Sequence, residues 1–147
     1  MSIEIITATI RDLNPLRDLE NICFPEDAWS LFDLVAVLTF PGVIRLKAVQ
    51  DEGMIGFIAG DPRTSQGFSW IATFGVLPEY RRKGIGRELL HQCEGQLSTP
   101  RIRLSVRLAN KNAIQLYRDE GYQTIDIWEK YYKDGSDAVV MEKSRNK

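Results

Sequence analysis

The sequence predicts an α+β fold on a central mixed sheet. Three observations carry that prediction: about seven stretches have the composition of strands, about four carry apolar residues at helical spacing, and the order runs strand, two helices, three strands, helix, strand, helix, two strands. Strict alternation, the mark of a doubly wound sheet, is absent. The 147 residues fit one domain, 1–147, of near-average size, enough to bury most of what the unfolded chain would expose.

The stretch IEIITATI, rich in β-branched residues, reads as the first strand. In RDLNPLRDLENICF, Leu13, Leu16, Leu19 and Ile22 repeat at helical spacing, and Pro15 falls where a first turn tolerates it. Ser30 is the expected N-cap of a second helix with Leu31, Leu34, Val35 and Leu38 on its apolar face, ended by Pro41 and Gly42. VIRLKAVQ and MIGFIAG are strands joined by DEG, a hairpin in which Gly53 supplies the positive φ such turns need. GFSWIATFGV is the next strand, stopped by Pro78, and a helix runs from the glycines at 84 and 86 to Leu97. RIRLSVRL is a strand, ANKNAIQLYRDEG a helix closed by Gly121, and YQTIDIW and AVVMEK are the last strands.

Composition narrows the function. Hydrophobic residues make up 44% and charged residues 27%, which is globular, and a formal net charge of -1 gives no overall attraction to nucleic acid or to an anionic membrane. Neither partner is expected. MSIEIITATIRD lacks the basic start and apolar stretch of a secretory signal, and the best apolar window, LFDLVAVLTFPGVI, is broken by Asp33 and ended by Pro41, so a cytoplasmic protein is expected. Cys23 and Cys93 have no metal-ligand spacing and are read as reduced thiols, with no metal site.

The most informative stretch is RRKGIGR, residues 81–87, between a strand and a helix. Glycines there let the backbone approach a ligand, and the helix that follows presents unpaired N–H groups and the positive end of its dipole. A diphosphate fits. Amides around Arg82, Lys83, Gly84, Ile85, Gly86 and Arg87 could surround it, while Arg81, Arg82, Lys83 and Arg87 add charge. The competing nucleotide motifs G-x-x-x-x-G-K-[ST] and G-x-G-x-x-G are both incomplete.

VLPEYRRKGIGRELL resembles the acyl-coenzyme A motif of the GCN5-related N-acetyltransferase (GNAT) family, Q/R-x-x-G-x-G/A, through Arg81, Gly84 and Gly86. NKNAIQLYRDEGY resembles that family's N-x-x-A-x-x-L-Y-x-x-x-G-F/Y segment through Asn110, Ala113, Leu116, Tyr117, Gly121 and Tyr122. The resemblance implies the GNAT fold, a mostly antiparallel sheet of about seven strands flanked by about four helices. It also implies acetyl-CoA as donor, an N-acetyltransferase activity, and a monomer or homodimer.

By the same resemblance, the strand before the glycine motif splays from its neighbour, so that Phe74, Gly75 and Val76 hold the pantetheine arm and acetyl oxygen. Asn110 and Ala113 belong to the coenzyme site. Tyr117 is the general acid: a phenol with a pKa of about 10 can protonate a thiolate whose conjugate acid lies near 8.5. NICFPEDAWS and WEKYYKDGSDAVVM resemble the two loops of the protein N-terminal acetyltransferases within the family, those acting on a ribosomal-protein alanine included. Phe24, Pro25 and Glu26 would then line one wall of an acceptor groove, and Tyr131 and Tyr132 the other.

One departure matters. The relatives' Glu or His base falls on Ser105, and their tyrosine in the strand before the glycine motif falls on Trp70; neither can accept a proton. An α-amine, about 2.5 pKa units below a lysine amine, costs roughly 3.4 kcal/mol less to deprotonate. Protein or peptide N-termini are therefore the expected acceptors, with water carrying the proton to solvent or to Glu26, Asp27 or Glu129. Two alternatives stand beside this: a small amine such as a polyamine, amino acid or antibiotic as acceptor, and a non-catalytic acyl-CoA sensor. His91, inside the helix after the glycine motif, is expected to point away from the thioester.

Overall fold

A computed structural model describes residues 2–145. The strands are β1 (Glu4–Thr7), β2 (Ile44–Gln50), β3 (Gly53–Arg63), β4 (Phe68–Val76), β5 (Arg101–Arg107), β6 (Gln123–Trp128) and β7 (Ala138–Ser144). The α-helices are α1 (Leu13–Cys23), α2 (Leu31–Thr39), α3 (Ile85–Gln96) and α4 (Lys111–Asp119). They form one sheet of order β1-β2-β3-β4-β5-β7-β6. Only β4 and β5, joined through α3, run parallel. Every other adjacent pair is antiparallel.

The element types match the sequence reading, and the differences have local causes. β1 stops at Thr7 because Thr9 caps a 3-10 turn, Ile10–Asp12: its hydroxyl accepts from the Arg11 amide (3.3 Å) and its own amide donates to Asp12 (2.8 Å). In α1, Leu16 and Leu19 are buried but Ile22 is 54% exposed, because the inward stripe continues through Glu20 and Cys23. In α2, Ser30 caps the helix by accepting from the Asp33 amide (3.2 Å). Its buried face is Leu34, Val37 and Leu38, while Leu31 is exposed and Val35 half-buried. The hairpin between β2 and β3 corrects the expectation for Gly53. Gln50 pairs with Gly53, so Asp51 (φ 52°) and Glu52 (φ 66°) become the central residues and take the left-handed conformations that a two-residue turn requires.

Alternation along β3 builds two cores. Ile58 packs with Leu89, Leu90, Cys93 and Ile102 under α3, and Phe57 and Ala59 pack with Leu16, Leu19, Leu34 and Leu38 under α1 and α2. Both cysteines are free; burial pushes the Cys93 thiol up to about 12, so it stays protonated. Among the described residues, no helix is long and apolar enough to cross a membrane.

Candidate active site

β4 and β5 are partners only where Phe68–Trp70 meets Arg101–Arg103. Beyond that, β4 follows β3 to the Val76–Gly56 pair and β5 follows β7 to the Arg107–Ala138 pair. The cause lies in β4: its register on β3 passes from Ile71–Gly60 to Thr73–Ala59, which leaves Ala72 as an extra residue. Such a bulge bends and twists its strand. The result is an opening between the two strands, with the β4 edge from residue 71 to 76 outside the ladder to β5.

The missing side chain of Gly75 makes room for α1: a Cβ there would stand 3.1 Å from Cys23 Sγ and 3.3 Å from the Phe24 ring. Phe74 and Val76 face the opposite side, where α3 begins: a Cβ on Gly86 would lie 3.5 Å from Phe74 and 3.6 Å from Val76.

The chain then turns through Pro78–Tyr80 into RRKGIGR. Arg82 (φ 63°) and Gly84 (φ 82°) are left-handed, and Gly84 caps α3 with no side chain to offer. Glu88 is the first residue whose amide bonds back into the helix, to Gly84 O at 3.0 Å. The amides of Ile85, Gly86 and Arg87 therefore form the anion-ready start of a helix, preceded by the alternating backbone of a nest. Three of the four cations already have protein partners. Arg81 Nε donates to Val76 O (2.9 Å), Lys83 lies over the Tyr80 ring (5.7 Å) and Arg87 pairs with Glu120 (2.8 Å).

Across the opening, Asn110 Oδ1 accepts from the Ala113 amide (3.2 Å) and caps α4, which leaves its amide nitrogen for a ligand. Ala113 is half-buried at the edge of the core. Tyr117, two turns along α4, is 8% exposed and rests between Phe74 (6.2 Å) and Tyr122 (5.9 Å, ring centroids). Burial first, and the neighbouring Tyr132 second, hold its phenol above the ordinary value.

The opposite wall is made of side chains from distant segments. Arg107, at the end of β5, bonds Asp27 with both Nε (2.7 Å) and Nη2 (2.8 Å), reaches Asp134 (3.0 Å) and Glu26 (3.4 Å), and stacks on Tyr132 (4.4 Å). One guanidinium thus ties the α1–α2 loop to the β6–β7 loop. The Ser136 hydroxyl and amide, then Arg107, hold Asp134 down to about 2. Burial is the main cause that raises the Tyr132 phenol, against which the Ser105 side chain rests. Trp70, Trp128, Tyr131 and Tyr132 form a continuous row, with centroids 5.9, 5.1 and 5.1 Å apart.

The structure therefore brings Phe74, Val76, Tyr117 and Tyr132 together around the opening, with Phe24 packed against Gly75. Pro25, Glu26 and Tyr131 stand exposed on the loops. Asp27, a candidate to take up a proton, is locked in its bidentate pair. His91 sits beside Glu120. Among the described residues no cluster could hold a metal ion.

The sequence reading missed two residues. Arg107 shares the alternation of Ser105, and that was its one signal. Glu20 falls on the inward stripe of α1, an acid four residues after Leu16. It is 1% exposed, and Oε2 accepts a 2.6 Å hydrogen bond from the Thr73 hydroxyl.

Comparison with known proteins places these features. The model of the acetyltransferase (GNAT) family matches residues 13–122. N-alpha-acetyltransferase 50 of Danio rerio is 30% identical, over 97% of this chain and 88% of that protein. An N-alpha-acetyltransferase of Saccharolobus solfataricus is 29% identical, over 91% and 88%. Among solved structures, Arabidopsis thaliana Naa50 in complex with the bisubstrate analogue CoA-Ac-MVNAL is similar at a TM-score of 0.81 and 26% identity, over 98% of this chain and 99% of that one. The ribosomal-protein-alanine N-acetyltransferase of Brucella melitensis shares the fold, with a TM-score of 0.81, 20% identity, and coverage of 96% and 99%.

Proposed function

The chain belongs to the acetyltransferase (GNAT) family and is an acetyl-CoA-dependent N-acetyltransferase; on that premise we propose that its acceptor is the α-amine of a protein or peptide N-terminus. Two relatives are named N-alpha-acetyltransferases, and the Naa50 complex joins coenzyme A to a peptide.

The residues present fit the coenzyme. Unpaired amides at Ile85, Gly86 and Arg87, behind a cap with no side chain, suit a diphosphate, with Arg82 and Lys83 adding charge. The β4 edge at Phe74, Gly75 and Val76 offers its main chain to the pantetheine arm and acetyl oxygen, and Asn110 and Ala113 face it from α4. Acetyl-CoA, when bound, supplies a thioester carbonyl carbon and a thiolate leaving group. Tyr117 holds the proton for that thiolate on its hydroxyl. Its raised pKa keeps it protonated throughout the working range, and the same desolvation raises a thiolate beside it, so transfer between the two stays feasible.

The acceptor groove has Phe24, Pro25 and Glu26 on one wall and Tyr131 and Tyr132 on the other. The observation that carries the reading is the Arg107 clamp, which ties these two loops across the open end of β4 and β5. Near pH 7 roughly a tenth of an α-amine is neutral, against well under a thousandth of a lysine amine, so a site whose base positions hold Ser105 and Trp70 selects it over lysine.

Purified protein, acetyl-CoA and a panel of peptides, polyamines and amino acids test this, with thiol release and product mass as readouts. A peptide with a free α-amine is expected to react about 10²-fold faster than the same peptide blocked there and offering only lysine. Equal rates, or a preference for polyamines, would overturn the acceptor. Tight coenzyme binding without turnover of any amine would make the protein an acyl-CoA sensor.

A further inference from the structure

Among the described residues, Glu20 is the buried acid that meets β4 on its acceptor side. Ile71, Phe74 and Val76 point into the α3 core, so Trp70, Thr73 and Gly75 share the other face, and Glu20 meets that face through Thr73. Its second oxygen, Oε1, is buried with no hydrogen-bond partner. A carboxyl kept inside with no cation against it and one oxygen without a hydrogen-bond partner is costly, which asks for a role beyond holding Thr73.

Resting on the reading of the protein as an α-amine acetyltransferase, we propose that Glu20, working through the Thr73 hydroxyl, receives the proton that the acceptor amine gives up. It is a positioning and proton-accepting group behind Thr73, in a site where Ser105 and Trp70 cannot accept a proton and Asp27 is bound to Arg107.

The groups that face it are the Thr73 hydroxyl from β4, the Trp29 amide from the α1–α2 loop, and Cys23 one turn along α1, with Arg81 beyond that thiol. Burial dominates and raises the Glu20 carboxyl, toward the basicity that a proton acceptor for an amine needs. Protons balance across two side chains. As the amine nitrogen bonds to the acetyl carbon and the carbon–sulfur bond breaks, the amine proton passes to Thr73 Oγ1 while the Thr73 proton moves to Glu20 Oε2. Tyr117 protonates the departing sulfur, and solvent later carries the proton of Glu20 to the Tyr117 phenolate.

The test uses the full chain and the variants Glu20→Gln, Thr73→Val and Thr73→Ser. Carbon-13 NMR of labelled glutamate should find one carboxyl of the coenzyme-free wild type titrating above the ordinary range and missing in E20Q. Calorimetry should give coenzyme A affinities within about twofold of wild type. With an α-amine peptide, E20Q and T73V should each lose about 10²-fold in kcat, with no further loss when combined, and T73S should recover at least about tenfold over T73V. The acid limb of the kcat profile that reports Glu20 should vanish in E20Q. Undiminished kcat in E20Q, loss in proportion to coenzyme affinity, or an ordinary Glu20 titration would each overturn the proposal. Wild type inert toward every α-amine would sink the acceptor reading and this inference together, whereas an active wild type matched by E20Q would sink this inference alone.

Discussion

The two sides of the opening are built from different materials. The proposed coenzyme side is main chain: the edge of β4, the left-handed residues Arg82 and Gly84, and three amides at the start of α3. The proposed acceptor side is side chain: Arg107 on two loops, the row from Trp70 to Tyr132, and Glu20 under Thr73. A surface of amides grips one diphosphate whatever side chains surround it, so that half needs only a backbone shape. The other half is a set of replaceable contacts through which an acceptor can be chosen without disturbing the donor site.

Substitutions should separate the two halves. The largest effect is expected at the hinge between them: Tyr117→Phe should lower kcat by about 10² to 10⁴-fold and leave coenzyme A affinity within a factor of about two, as calorimetry beside steady-state rates will read. A matching loss of affinity would mean that Tyr117 builds the coenzyme site instead.

Next comes Gly84→Val. A β-branched residue at φ 82° is strained by roughly 1 to 3 kcal/mol, so coenzyme affinity should fall about tenfold to a hundredfold, with thermal stability reported by circular dichroism alongside. Retained affinity would show that the nest contributes little.

Arg107→Ala should act only on the acceptor half. It frees both loops, so the acceptor KM should rise about tenfold while coenzyme affinity stays put, and stability should drop by roughly 1 to 3 kcal/mol because Asp27 loses a bidentate partner. If coenzyme affinity fell as far as acceptor affinity, the two halves would not be separable.

The smallest expected effect is a pH dependence. The folded pKa of Glu20 is raised, so its contribution to stability is full below the unfolded value of about 4.3 and is lost as pH rises through the folded value. Denaturant unfolding of E20Q should therefore gain on wild type as pH increases from 4 to 8. A constant difference would place Glu20 in an ordinary environment.

Legibility follows the same division. The glycine motif could be read because its shape is a local backbone path, and Gly84 supplies a φ that other residues resist. Asn110 caps the short helix that carries Tyr117, so their spacing alone brings them to one end of the sheet. Gly53 was misread because a hairpin takes its central residues from strand register, and the pairing of Gln50 with Gly53 hands that role to Asp51 and Glu52. The reason for Gly75 was hidden because the atoms it makes room for belong to Cys23 and Phe24, on a helix more than fifty residues earlier.

What the sequence determined by itself was the order of elements, the mixed sheet and the backbone path of the glycine stretch, because hydrophobic period and glycine geometry act over a few neighbouring residues. Tertiary structure alone decided the proposed acceptor side. The bulge at Ala72 parts β4 from β5 and turns Thr73 toward Glu20, and the fold brings Asp27 and Arg107 into contact across 80 residues of chain. Charges and hydroxyls have no periodicity of their own, so their partners exist only once packing has set the distances.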